Sequence, residues 1–88
     1  MTTLSPSATR SARRQLRSNR EPFTDRELAV LRGLAEGRTG DQIAASLRIL
    51  ARTERRVRAG VYRKLGALNG PHAVNLGWAL GLLGGEDR

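Results

Sequence analysis

The chain has no cysteine, one histidine, one lysine and only three aromatic residues, Phe23, Tyr62 and Trp78, in a length of 88. Without cysteine there are no disulfides, no thiol catalysis and no cysteine-ligated zinc. The lone His72 cannot build a histidine metal site or a Ser-His-Asp triad. No apolar run approaches the ~20 residues a membrane span needs. No apolar stretch follows the basic N-terminus, as a secretory signal would require. An acid–base pair, a nucleophile–base set and a phosphate loop are all missing, so neither an enzyme nor a cofactor is expected. The chain also lacks the exposed aromatic platform that single-stranded nucleic acids tend to use. Acids are scarce as well. Eight Asp and Glu face sixteen Lys and Arg, for a formal net charge of +8, and fifteen of those cations are arginine.

What is present fits one small domain, and a partner chain would help so small a core. Residues 1–22 read as a disordered basic arm, rich in serine and carrying Arg10, Arg13, Arg14, Arg17 and Arg20. Such an arm is suited to DNA phosphates or a minor groove. Residues 23–84 form the folded part, and 85–88 a short tail. Thr24-Asp25-Arg26-Glu27 is a capping box, with Phe23 and Leu28 placed as a hydrophobic staple. Leu28, Leu31, Leu34 and Ala35 recur at helical spacing up to Gly37, which predicts a helix over 25–36. Gly33 weakens it by about 1 kcal/mol and marks a close packing contact.

A second box, Thr39 to Gln42, opens a short helix over 40–47. After a turn at 48–50, a long helix is expected over about 51–65, closed by Gly66. Asn69, Gly70 and Pro71 start a last helix running to about Leu83, with Asn69 as cap and Gly84-Gly85 as stop. No strand pattern is visible, so the fold class is all-α, four short helices with short links.

The third helix carries most of the charge. Seven cations lie between Arg48 and Lys64, namely Arg48, Arg52, Arg55, Arg56, Arg58, Arg63 and Lys64, against one acid, Glu54. With Val57, Val61 and Leu65 turned inward, Arg52, Arg55, Arg56 and Arg63 fall on the outer and lateral faces. A short helix, a tight turn and a basic helix make a helix-turn-helix, whose second helix fits the DNA major groove.

Glu54 shares the inward stripe. Its burial would be costly unless it pairs, and Arg58, four residues on, is the available partner. Alternatively, Glu54 could face DNA and accept from a cytosine amine.

From Phe23 to Leu83 the chain resembles the LuxR/GerE-type helix-turn-helix domain of bacterial transcription regulators. Phe23-Thr24-Asp25-Arg26-Glu27 is similar to its Leu-Thr-x-Arg-Glu opening. Leu31, Leu34, Ala35 and Gly37 follow its Val-Leu-x-Leu-Leu-Ala-x-Gly run, and Ile43, Ala44 and Leu47 its Glu-Ile-Ala-x-x-Leu helix. Thr53 with Arg55, Lys64-Leu65-Gly66, Ala73-Val74 and Gly81-Leu82-Leu83 continue the match in order. The resemblance implies base contacts from Arg55, Arg56 and Ala59. It implies phosphate contacts from Thr53 and Lys64, to which the charge pattern adds Arg52, Arg58 and Arg63. Leu50 stands where the family has a capping Ser, and Glu54 where it has Val.

From Ala73 to Leu83 only Asn75 is polar, and a helix apolar on all sides has more than one partner. The resemblance implies a homodimer through this helix, with Gly77, Trp78, Leu80, Gly81 and Leu83 as the interface. Trp78 is read as a core or interface anchor. The expected function is sequence-specific binding of double-stranded DNA by a stand-alone transcription regulator, cytoplasmic and nucleoid-associated, with no metal and no small-molecule ligand. The alternative is a diverged interaction module that binds a protein partner as a decoy or adaptor.

Overall fold

The computed structural model describes residues 22–84, so the arm expected at 1–22 lies outside the described residues save for Pro22, as does the tail at 85–88. Four helices follow in order: α1 Asp25–Ala35, α2 Gly40–Leu47, α3 Ala51–Leu65 and α4 Gly70–Ala79. No strand occurs among the described residues.

The helix starts are set by local chemistry. Thr24 Oγ1 accepts from the amide of Glu27 at 3.0 Å, and the amide of Thr24 donates to Glu27 Oε1 at 2.9 Å. Thr39 and Gln42 repeat this reciprocal pair at the start of α2. Each box satisfies amides that a helix N-terminus otherwise leaves bare. Asn69 Oδ1 accepts from the amide of His72 at the start of α4. Only α3 begins without a side-chain cap, because Leu50 holds that place.

The turn between α2 and α3 is tight. Arg48 closes α2 at φ 58°, in the left-handed region, the only non-glycine among the described residues to do so. A side chain there costs about 1–2 kcal/mol, which the α2–α3 packing must offset. Gly66 ends α3 at φ 71°.

α1 lies at the centre and touches all three other helices; α3 does the same, while α2 and α4 flank them without approaching each other. Leu31, Val61, Ala73, Leu82 and Leu83 form the buried core, with Phe23, Leu28, Tyr62 and Leu65 packed against it. A second buried contact joins α1 to α2. A Cβ at Gly33 would stand 2.7 Å from Ile43 Cγ1, so glycine is what lets the two helices close. The helix weakness that Gly33 brings is thus exchanged for the burial of Ile43.

The last helix ends earlier than its composition suggests. α4 stops at Ala79, not near Leu83. Gly81 adopts φ 77° and reverses the chain, and the amides of Leu82 and Leu83 both donate to the carbonyl of Gly77. This turn brings Leu82 and Leu83 back under α4, where both are buried. The physical reason is core size. Two large apolar side chains gain more by filling the space beneath a short helix than by extending it into solvent.

Candidate nucleic-acid interface

α2, the turn at 48–50 and α3 form the helix-turn-helix unit, and α1 with α4 braces α3 from behind. On α3, Glu54 and Val61 are buried, Val57 and Leu65 half-buried. At 100° per residue these four mark the inward side, and the opposite side carries Arg52, Arg55, Arg56, Ala59 and Arg63. All five are exposed. None of the four arginines forms an ion pair with a described residue. Their charge is therefore available to an external anion. Thr53 is half-buried at the edge of this face. Ala59, small and exposed among the arginines, leaves room for a close approach of the helix to a groove floor.

Two expected phosphate contacts are otherwise engaged. Arg58 Nη2 donates to Glu54 Oε1 at 3.1 Å, and its side chain is mostly covered. Glu54 is 1% exposed, so it faces the interior and not a cytosine. Lys64 Nζ donates to Glu27 Oε1 at 2.8 Å and to the carbonyl of Pro22, and it stands 5.5 Å from the Phe23 ring centroid. Lys64 thus ties the C-terminal end of α3 to the start of α1. Their charge is visible in sequence; the partners they take within the fold, Glu54 and Glu27, come from the packing.

Glu27 itself joins three groups. Burial pushes its carboxyl up, but the Lys64 ammonium and the Thr24 amide and hydroxyl outweigh that and hold it below the ordinary value.

The expected dimer residues divide into two sets. Gly77 is buried against this chain's own core, where a Cβ would stand 3.0 Å from Leu31 Cδ2 and 3.1 Å from Leu83 Cδ1. Leu83 is buried there too, and Gly81 serves the reversing turn, so these three belong inside the protomer. Leu80 is half-buried against the core. Trp78 is 55% exposed. It shares the outer face of α4 with Pro71, Asn75 and Ala79, all exposed, and with half-buried Val74 at its edge.

No helix among the described residues is long and apolar enough to cross a membrane. No cluster of three or more metal-ligating side chains is present among them.

No curated protein matches the chain. A family model described as bacterial regulatory proteins, luxR family, matches residues 21–76. That span runs from the capping box of α1 through most of α4 and includes the whole helix-turn-helix unit. The chain therefore belongs to the LuxR family of bacterial regulatory proteins and carries its GerE-type helix-turn-helix domain, a DNA-binding domain of transcription regulation.

Proposed function

We propose that this chain binds double-stranded DNA sequence-specifically, with α3 in the major groove and two copies bound to an inverted repeat. The observation that carries the reading is the outer face of α3, where Arg52, Arg55, Arg56 and Arg63 stand exposed and without ion-pair partners around Ala59. Arg55 and Arg56 take the base edges, since arginine reads guanine bidentately in the major groove. Arg52, Arg63 and Thr53 take phosphates and set the register of the helix. Residues 23–84 are the DNA-binding unit, and the basic arm adds salt-sensitive, sequence-independent attraction. Such a chain works on the nucleoid, in the cytoplasm.

The dimer forms through the outer face of α4. Trp78 is the anchor, with Val74 and Asn75 beside it, because these remain exposed or half-exposed after Gly77 and Leu83 are used in the protomer. A two-fold protein matches a two-fold site. Selection from random duplexes at near-physiological salt tests both halves of the reading. Recovery of an inverted repeat is expected. Retention of duplexes without any shared motif would reduce the interaction to charge alone.

A second reading has its own support. Leu50 is 60% exposed at the start of α3, and Trp78 is exposed on α4. A protein partner bound through these apolar groups would make the chain an adaptor. Duplex binding that is weak and flat in salt would favour it, because phosphate neutralisation requires a steep salt dependence.

A further inference from the structure

Glu54 is a fully buried carboxylate inside a helix-turn-helix unit. Its Oε1 accepts from Arg58 Nη2 at 3.1 Å. Its Oε2 is buried without a hydrogen-bond partner. The carboxylate lies against the first residue of α2, where a Cβ on Gly40 would stand 2.9 Å from Oε1 and 3.2 Å from Arg58 Nη2. Gly40 therefore leaves the space that the pair occupies. The same contact places a negative charge at the N-terminal end of α2, where the helix dipole favours an anion.

A buried carboxylate with one oxygen unmet is costly to the fold. We propose that Glu54 is a positioning residue that acts as an internal counter-anion. It withholds Arg58 from the DNA backbone and pins the start of α2 to the reading helix. This inference rests on the DNA-binding reading of α3. Its content is electrostatic. Arg58 sits on the flank of α3, between the exposed arginines and the buried stripe, and its long side chain has two possible anions. One is the DNA phosphate outside and the other is Glu54 inside. The inner anion stands at 3.1 Å within the folded unit, so on this proposal the outer one gains no contact from Arg58. Glu54 also lies on the inner side of the N-terminal end of α2, beside Gly40. The reading helix thus presents Arg52, Arg55, Arg56 and Arg63, and Arg58 is a cation of its sequence that adds no phosphate contact.

The test is the slope of log Kobs against log salt for one duplex, measured on the full chain. Each phosphate neutralised adds about 0.9 to the steepness. Glu54→Gln frees Arg58, so its slope is expected to steepen by about 0.9. Arg58→Met in the native background is expected to leave the slope unchanged, although it lowers thermal stability by stranding the carboxylate. The double variant is expected to return to the native slope. Should Glu54→Gln not fold, Glu54→Val removes the same charge and carries the same expectation. A structural role alone would move melting temperatures and leave the slopes parallel, which overturns the proposal. A slope made shallower by Arg58→Met overturns it too, because Arg58 would then already hold a phosphate. A native chain whose binding is flat in salt defeats the DNA reading itself, and the role of Glu54 with it.

Discussion

Arg55 and Arg52 carry the same charge on the same helix, yet they are expected to fail differently when removed. A base-reading arginine loses affinity at its preferred site and loses discrimination. A phosphate-bound arginine loses affinity everywhere alike. Arg55→Ala or Arg56→Ala is expected to cost about 1–3 kcal/mol at the selected site and to broaden the recovered motif. Arg52→Ala or Arg63→Ala is expected to weaken all duplexes together and to flatten the salt slope by about 0.9. Titrating each variant against the selected duplex and a scrambled one separates the two classes. Equal losses on both duplexes for Arg55 and Arg56 would move them to the backbone. At the far end of α3, Glu27 gives a second residue-scale expectation. Its carboxyl titrates below its ordinary value of 4.5 in the folded chain, because Lys64 and Thr24 outweigh burial. A depressed carboxyl stabilises the fold above the unfolded value, and that stability is lost as pH falls through the folded value. Urea melts across the acid range should show the native chain losing stability below about pH 4.5. Glu27→Gln starts less stable at neutral pH and converges with the native chain in acid. Parallel curves would mean that the Lys64 link contributes nothing.

Among the elements, α3 is the one that starts unaided. Leu50 gives α3 no side-chain acceptor, although its backbone already has the extended cap geometry at φ −71° and ψ 150°. Leu50→Ser therefore needs no backbone change to supply a cap. It is expected to stabilise the fold by about 0.5–2 kcal/mol, seen as a higher urea midpoint at unchanged slope. An unchanged or lower midpoint would show that the exposed leucine has a packing role that its surface position hides. The starts of α1, α2 and α4 were legible in the sequence because capping is short-range chemistry, carried by Thr24 with Glu27, Thr39 with Gln42, and Asn69. The outer face of α3 was legible for a similar reason, since its side chains follow helical periodicity. The end of α4 was not. Gly81 could stop a helix or let two helices approach, and only the burial of Leu82 and Leu83 decides for the turn. The Lys64–Glu27 pair was hidden for the same kind of reason, since its members are 37 positions apart. Arg58 was half-legible. Its spacing from Glu54 suggested a pair, but the space that makes the pair possible belongs to Gly40 on another helix.

At the scale of the whole molecule, the distinction between Gly77 and Trp78 decides how dimerisation can be tested. Both lie on α4 and both were candidates for its interface, but one faces Leu31 and Leu83 while the other is 55% exposed. A folded unit of this size buries only a modest core, so an exposed tryptophan beside Val74 is a substantial share of the apolar surface it can still remove from water. If two copies share that face, folding and association are linked by mass action, and the melting temperature rises with protein concentration. Trp78→Lys is expected to abolish that concentration dependence and to give a monomer by sedimentation equilibrium. It should keep the helical signal, because Trp78 is no part of the buried core. On DNA it should still bind a single half-site weakly, while losing the preference for two half-sites spaced by about one helical turn. Gly77→Leu supplies the contrast. Its added side chain meets Leu31 and Leu83 inside the protomer, so it is expected to lower stability at every concentration alike. A Trp78→Lys chain that still sediments as a dimer would place the seam elsewhere, and an inverted repeat would then require a contact outside α4.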